Sequence, residues 1–448
     1  MPESGPGSWD IIVIGAGGCG LLAALVAARK GASVLLLEKT DKPGGGTAFS
    51  SKGIRAAGTR FQRSDGIEDS PEHYTQDIMS RNGGQSDPAL TKRLAETSGP
   101  VADFLADVAG IEIIVGEFLF GHSLPRAHTW REDRTVTDFL FEAVRREPNI
   151  QVQFSIEVLL LKQETDGSLT GVVTENGTID ARKVILASGG FGASQELLSK
   201  YIPKAVGIPF PGHYGSSGEG IEMGLAAGAA VANMGSFQPY PAYLGPEKQS
   251  VSPEVVISGG IMVNNHGKRF VDETRYPGGL ATGMLDLPDK QAFEILDERV
   301  YRLHQTLLED FLGLGLLHKA QTVRELAGLL GIDAQGLELT VAECDRSAGK
   351  SADLFGRRLP APFEPPFYGI KVKVALYHTQ GGLNVNVNGQ VLRPDGSIIP
   401  NFYAGGGVAT GISGTGMEGY MPGNGQLASL GLGMLAGEHA AASLKSKV

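Results

Sequence analysis

The chain has 448 residues, 42% of them apolar and 20% charged, enough for two or three domains around sizeable cores. A formal net charge of −10 excludes a nucleic-acid binder that works through a basic footprint, but leaves a small anionic substrate open. The two cysteines, Cys19 and Cys344, lie in no metal, haem or iron–sulfur spacing and read as thiols of a reducing cytosol.

Residues 1–10 form a polar tail. The apolar stretch Ile11–Ala28 is long enough for a signal or membrane segment. No Lys or Arg precedes it and glycines interrupt it, so neither export nor membrane insertion is expected. Residues 11–14 (IIVI) predict a buried parallel strand, followed by Gly15, Gly17 and Gly20 in G-x-G-x-x-G spacing. A helix follows over 21–29, then a second strand over 32–37 that ends in Glu38. This is a dinucleotide-binding βαβ unit. The first glycine makes the turn, the second admits a pyrophosphate and the third lets helix and strand pack closely. The helix N-terminus faces the phosphates, and Glu38 accepts from a ribose hydroxyl.

A glycine loop, KPGGGTAFSSKG at 42–53, follows where a simple nicotinamide enzyme continues into a helix; it suits a larger cofactor lying along backbone. Two helices are expected within 69–108, broken at SRNGGQSDP, and another over 132–147. From 149 to 188 the pattern alternates by twos and turns at Asp166-Gly167 and Asn176-Gly177, a β-meander inserted before the last parallel strand. Residues 288–349 read as helical, with breaks near 313–315 and 331–333. The Pro-rich stretch 357–369 reads as a hinge.

The glycine loop resembles the flavoprotein family of fumarate reductases, succinate dehydrogenases and 3-ketosteroid dehydrogenases, where G-G-x-T runs under the flavin. DARKVILASGGFG (180–192), GSSGEGIEMGLAAGA (215–229), GGIMVNNHGKRFVDE (259–273), YHTQGG (377–382), IPNFYAGGGVATG (399–411) and GNGQLASLGLGMLAG (423–437) resemble further motifs of that family. The resemblance implies FAD and an α/β fold: a Rossmann-like FAD-binding domain with the inserted meander, at 1–237 and 371–448, and a separate α+β capping domain at 238–370. It places the cofactor against Gly15, Ala16, Gly17, Gly18, Cys19 and Gly20, against Glu38 and Lys39, and against Gly45, Gly46 and Thr47. It adds Val158, Ala187, Gly189, Gly190 and Glu219, and finally Gly423, Asn424, Gln426 and Leu427. Two positions depart from the family. Its glutamate in A-G-E is Gly407, and the flavin-attaching histidine has no counterpart near Ser50 or Ser51, which implies non-covalent FAD.

The substrate residues depart further. His378 of H-T-x-G-G is kept, but the carboxylate-binding arginine of R-x-G-G-N is Tyr420. The histidine of Q-x-H-P is Tyr240, and the proton-donating arginine aligns with Tyr301, or with Arg299 or Arg302 after a small slip. Arg275 and Glu273 fall near the family's Arg/Glu proton relay, with a cap salt bridge as the plain alternative. His122, Arg126 and His128 form a polar cluster that could reach the flavin edge, with surface or loop packing as the plainer reading, and Cys19 reads as a small spacer. Neutral phenols suit a carbonyl or enolate oxygen better than a carboxylate. The expectation is an FAD-dependent CH–CH oxidoreductase acting beside the carbonyl of a cyclic ketone or keto acid, with Tyr420 and His378 holding the oxygen and Tyr301 or Tyr240 moving the proton. The alternatives are a fumarate-reductase-like enoate or dicarboxylate reductase, and a flavin-binding redox subunit without CH–CH chemistry. The expected setting is the cytoplasm, with a small ketone or carboxylate as substrate and an unidentified electron partner, and without nucleic acid, membrane or metal.

Overall fold

The fold is described from a computed structural model covering residues 8–50, 53–116, 121–245, 250–275 and 278–445. The expected tail up to Gly7 and the comparison at Ser51 lie outside these residues. The β-branched run at 11–14 forms the core of strand Trp9–Ile14, with its last four residues buried. It lies parallel to Val34–Glu38 on one side and to Gly177–Leu186 on the other. Ile150–Phe154 and Ile398–Ala404 extend the parallel sheet outward, and Gln390–Leu392 closes one edge antiparallel. Strands Val158–Gln163 and Leu169–Thr174 fold antiparallel onto Gly177–Leu186, which therefore serves both the meander and the parallel sheet. Gly167 at φ +81° and Gly177 at φ +116° take the turn conformations that the Asp-Gly and Asn-Gly pairs predict.

Helix Gly18–Arg29 fills the first crossover and is buried from Gly18 to Ala28. The C-terminal helix Asn424–Leu444 packs on it. Glycine makes that approach possible. A Cβ at Gly433 would lie 2.5 Å from the Cys19 carbonyl oxygen, and one at Gly437 2.5 Å from that of Ala23. Helices Pro71–Arg81 and Pro88–Asp107 form where the 69–108 pattern predicts them. Each has Pro in its first turn, and the side chains of Ser70 and Asp87 cap them by accepting from His73 N and Leu90 N.

The chain divides into two compact units: Met1–Pro203 with Gly212–Phe237 and His378–Val448, and Lys204–Pro211 with Gln238–Tyr377. Lys204–Pro211 thus joins the second unit, and the return to the first comes at His378 instead of residue 371. The second unit is built on a five-stranded sheet whose long strand, Phe367–Thr379, pairs antiparallel with Gln291–Leu296 and Leu317–Ala320. Helices Val323–Leu330 and Ala334–Ser347 supply Leu326, Leu337 and Val341 to a core shared with Ile261, Phe293 and Ile295.

One expectation is corrected here. The 288–349 segment is not all helix, because Gln291–Leu296 and Leu317–Ala320 are strands. Sheet pairing on both sides of Gln291–Leu296 overrides the weak local preference of a short apolar run. The Pro-rich 357–369 stretch, expected as a hinge, lies inside the second unit, where the buried Arg357 ties it to Gly260, Val256 and Ile257 carbonyls and to Glu273.

Candidate active site

The glycine turn after the first strand is shaped by two kinds of close approach. Gly15, at φ +105°, would place a Cβ 2.5 Å from the Ala187 carbonyl oxygen, and a Cβ at Gly20 would overlap the Gly15 carbonyl. These two glycines are required by the protein's own packing. Gly17 is different. Its nearest neighbour would be 3.8 Å away, on the Gly44 carbonyl, and Gly46 has nothing within 4 Å. Nothing in the chain explains why these two carry no side chain, whereas a pyrophosphate lying against the backbone does. The second glycine loop backs the first: Gly44 N donates to Ala16 O at 3.0 Å, and Gly18 N donates to Thr47 Oγ1 at 3.3 Å.

Glu38 is buried at the end of its strand. Its Oε2 accepts from Ala16 N at 2.8 Å, and its Oε1 accepts from Thr40 N and Oγ1 at 2.9 and 2.8 Å. The carboxylate therefore fastens the turn and keeps its other lone pairs for a ribose. Ile156 N donates to the Glu38 carbonyl, which brings Val158 toward the same strand end. Lys39 and Glu219, both expected at the cofactor, pair with each other at 2.5 Å, and Ser217 donates to the second Glu219 oxygen. These residues fit the adenosine and pyrophosphate half of FAD.

At Gly407 a Cβ would stand 2.7 Å from Gly190 N. A glutamate there would require the 189–190 backbone to shift.

The loop before helix Asn424–Leu444 turns at Gly423, φ +98°. Tyr420 and His378 meet edge to face there, with ring centroids 5.8 Å apart and planes at 74°. Burial pushes the His378 imidazole down to about 4, so it is neutral at neutral pH. Its Nδ1 lies 3.4 Å from Thr379 O; a proton on Nδ1 serves that carbonyl and leaves Nε2 as a lone pair. Burial pushes the Tyr420 hydroxyl up to about 12, against an opposing hydrogen bond from the Gly423 backbone N–H. Tyr420 therefore keeps its proton and can give a hydrogen bond, while His378 can take one. The sequence reading assigned both residues the same task; the structure makes them complementary. Asn424 Nδ2 donates to Ser413 Oγ at 3.2 Å, and Ser413 donates to Gln380 Oε1, tying the loop to the HTQGG turn.

Two features of this unit escape the sequence reading. Arg55 lies on strand Ile54–Arg55, and a Cβ at Gly423 would overlap its Cγ and stand 2.9 Å from its Cβ. Its stem thus crosses the Tyr420 loop. The His122, Arg126 and His128 cluster is the second. Of the two packing readings it is loop packing and not surface packing, for all three are buried. Arg126 binds Asp69 through Nε and Nη2 at 2.7 and 2.9 Å and also pairs with Asp77. His122 Nε2 reaches the Pro422 carbonyl at 2.9 Å, so the cluster braces the Tyr420 loop from behind. Asp69 and Asp77 are distant in sequence, so the burial of the cluster could not be read from its own stretch of chain.

In the second unit, the Tyr240 hydroxyl donates to Val251 O at 2.8 Å and its ring stacks on Tyr377 at 4.6 Å. Tyr301 stacks on Tyr368 at 4.2 Å, and desolvation, with help from Glu309 and Glu298, raises its hydroxyl above the usual phenol range. A phenolate base is therefore unfavourable at Tyr301. The expected Arg275–Glu273 relay pair is not formed. Arg275 is exposed, whereas Glu273 is fully buried. Arg269 holds both Glu273 oxygens, at 3.0 and 2.7 Å, Arg357 adds a bond at 2.7 Å, and Met262 N donates to it.

These features converge on a flavoprotein. Residues 10–427 match the FAD binding domain family, and the chain belongs to that family. It is 32% identical to the NADH:fumarate oxidoreductase of Klebsiella pneumoniae (strain 342) over 98% of its own length, and spans about half (48%) of that relative. Among solved structures it is similar to the open conformation of a flavocytochrome c3 fumarate reductase, with a TM-score of 0.84, 27% identity, and coverage of 99% of this chain and 80% of that one. It is likewise similar to the 3-ketosteroid-Δ4-(5α)-dehydrogenase of Rhodococcus jostii RHA1 in complex with 4-androstene-3,17-dione, with a TM-score of 0.81, 26% identity and 98% coverage of both chains. The class so defined is that of FAD-dependent oxidoreductases acting on CH–CH groups. Among the described residues, no helix is long and apolar enough to cross a membrane.

Proposed function

We propose that the protein reduces, or in reverse dehydrogenates, a carbon–carbon bond adjacent to a carbonyl group. The reading is carried by the Tyr420–His378 pair: two neutral groups in ring contact, one donor and one acceptor, in a loop otherwise made of glycine and backbone. Tyr420 gives its hydrogen bond to the substrate oxygen and stabilises the negative charge that grows there. His378 Nε2 orients the hydroxyl or takes up a proton as that charge forms. FAD, when bound, supplies the hydride exchange at the neighbouring carbon. Gly15–Gly20, Glu38, Lys39, Gly45–Thr47 and the start of helix Asn424–Leu444 are the residues that would hold it, without a covalent link. Tyr301, whose raised hydroxyl stays protonated at neutral pH, is proposed as a hydrogen-bonding group and not as a phenolate base.

The substrate is a small molecule and the electron partner an unidentified donor or acceptor; the proposed setting is the cytoplasm, where the buried free thiols Cys19 and Cys344 would stay reduced. The names of the relatives support both an enoate and a ketone as the oxygen-bearing group. A dicarboxylate reductase is the second reading, favoured by the fumarate-reducing relatives and disfavoured by Tyr420 in place of arginine. The test is anaerobic mixing of the flavin-loaded protein with enones, enoates and their saturated forms, in wild type and Tyr420→Phe. Loss of the hydroxyl should slow flavin bleaching or reoxidation by about 10²–10³. Unchanged rates on every substrate would make Tyr420 structural and end this reading.

A further inference from the structure

The stretch SRNGGQSDP, which reads in the sequence as a plain break between two helices, lies against the Tyr420 loop. That loop has little with which to hold itself. Glycine occupies 411, 414, 416, 419 and 423, so few side chains fix the backbone and its freedom must be removed from outside. Helix Pro71–Arg81 and the turn after it supply the restraint. Arg81 Nε donates to Tyr420 O at 3.3 Å. Asn82 Nδ2 donates to Ile412 O at 3.0 Å and to Ser86 Oγ at 2.7 Å, while its Oδ1 accepts from Gln85 N at 3.1 Å. A carbonyl only accepts and a backbone N–H only donates, so these partners fix the orientation of the amide. Gln85 Oε1 accepts from Thr415 N and Oγ1 at 3.2 and 2.9 Å. At Gly419, next to Tyr420, a Cβ would stand 2.7 Å from the Asn82 Cβ, so the loop backbone rests on that side chain. Asn82 is buried, whereas Gln85 is exposed.

We infer that Asn82 is a positioning residue for Tyr420, with Gln85 as a second hold: the turn at 82–86 is a cradle that sets where the phenol stands. Asn82 acts through Tyr420, so this role rests on the hydrogen-bonding role proposed for that phenol. Asn82 holds the loop near its start, at 412, and touches it again at 419. Arg81 and His122 take the carbonyls at 420 and 422. The backbone of Tyr420 is thus fixed on both sides. A phenol misplaced by about 1 Å would meet a substrate oxygen poorly, at a cost of about 10²-fold in rate. The amide of Asn82 is needed, and not only its shape. In Asn82→Asp an acceptor would replace the donor that faces the Ile412 carbonyl, and the two oxygens would repel.

The experiment uses the flavin-loaded full chain labelled with 3-fluorotyrosine. Of the fluorine lines from the eleven tyrosines, the one absent in Tyr420→Phe belongs to position 420. Asn82→Asp and Gln85→Ala should shift, split or broaden that line and leave most of the others in place. Reoxidation of the reduced flavin is followed with cyclohex-2-enone and cinnamate. It should slow by about 10–10²-fold in Asn82→Asp. In a Tyr420→Phe background the same change should add less than about twofold, because residues that act through one group do not add. A line at 420 that stays in place in both variants would overturn the inference, whatever the rates do. Where Tyr420→Phe is itself slow, full additivity would also overturn it, by making Asn82 a packing residue. If Asn82→Asp does not fold, Gln85→Ala, at an exposed position, decides alone. A line that moves while Tyr420→Phe reacts at the wild-type rate would uphold the cradle and end the hydrogen-bonding role of Tyr420.

Discussion

Gly425 and His378 touch backbone to ring: a Cβ at position 425 would lie 2.5 Å from His378 Cε1 and 2.8 Å from Nε2. The imidazole is thus seated on the first turn of helix Asn424–Leu444, which also carries the end of the Tyr420 loop. Gly425→Ala should push the ring off its place without touching Tyr420. We expect turnover to fall by about 10²-fold, as a displaced catalytic group does, while FAD content and melting temperature change little. Full activity in this variant would detach His378 from the chemistry.

Gly17 and Gly20 separate ligand from fold. Gly17→Ala has space in the protein, so thermal stability should be kept while FAD affinity collapses. Gly20→Ala meets the Gly15 carbonyl and should destabilise the fold itself by at least about 1–3 kcal/mol. Equal effects of the two on melting and on flavin retention would contradict the division.

The pH profile follows from the neutral pair. With His378 near 4 and Tyr420 near 12, neither group changes charge across the neutral range. The dependence of kcat/KM on pH should show no inflection near 6.5, the ordinary histidine value. An inflection there that vanishes in His378→Gln would show an imidazole much less buried than described.

Glu294 predicts how stability responds to pH. It sits mid-strand in the second unit, is fully buried, and neither carboxyl oxygen has a hydrogen-bond partner. Desolvation first and the Glu273 charge second push it up to about 8. The neighbouring charges already balance: Arg269 and Arg357 against Glu273 and Asp353. Between the unfolded value of about 4.3 and the folded value, the native state holds a proton that the unfolded chain releases. Stability therefore falls as pH rises through that window, by at most about 1.4 kcal/mol per pH unit. Glu294→Gln removes the penalty, so denaturant melts from about pH 5 to pH 8 should show a smaller slope in the variant. Parallel slopes would mean the carboxyl is ionised or solvated.

The Glu273 knot should behave as a buried ion pair. Glu273→Gln leaves Arg269 and Arg357 short of one negative charge and should lower stability by about 3–5 kcal/mol. A loss under about 1 kcal/mol would show that water or relaxation compensates.

The nucleotide-binding half was legible because its signals are local. The run 11–14, the three glycines and Glu38 lie within one βαβ unit, and each residue's task follows from spacing. Long-range features were not legible. Strand Gln291–Leu296 reads as part of a helical stretch until its partners at 261–263 and 368–373 are known. Arg126 looks like a surface residue until Asp69 and Asp77 close on it. Arg55 gave no signal at all, since only the fold lays its stem across Gly423. The phenol at 420 stands out in the loop itself, but the Arg55 stem that lies on Gly423 could not be seen from the loop alone.

The crowding at Gly407 bears on how the flavin is gripped. With the Gly190 amide 2.7 Å from where a first side-chain carbon would sit, any side chain at 407 requires the backbone at 189–190 to shift. That backbone is itself expected to carry the cofactor. An acid grafted at 407 would therefore disturb one cofactor contact in supplying another, and the hold on the flavin falls to the residues around it.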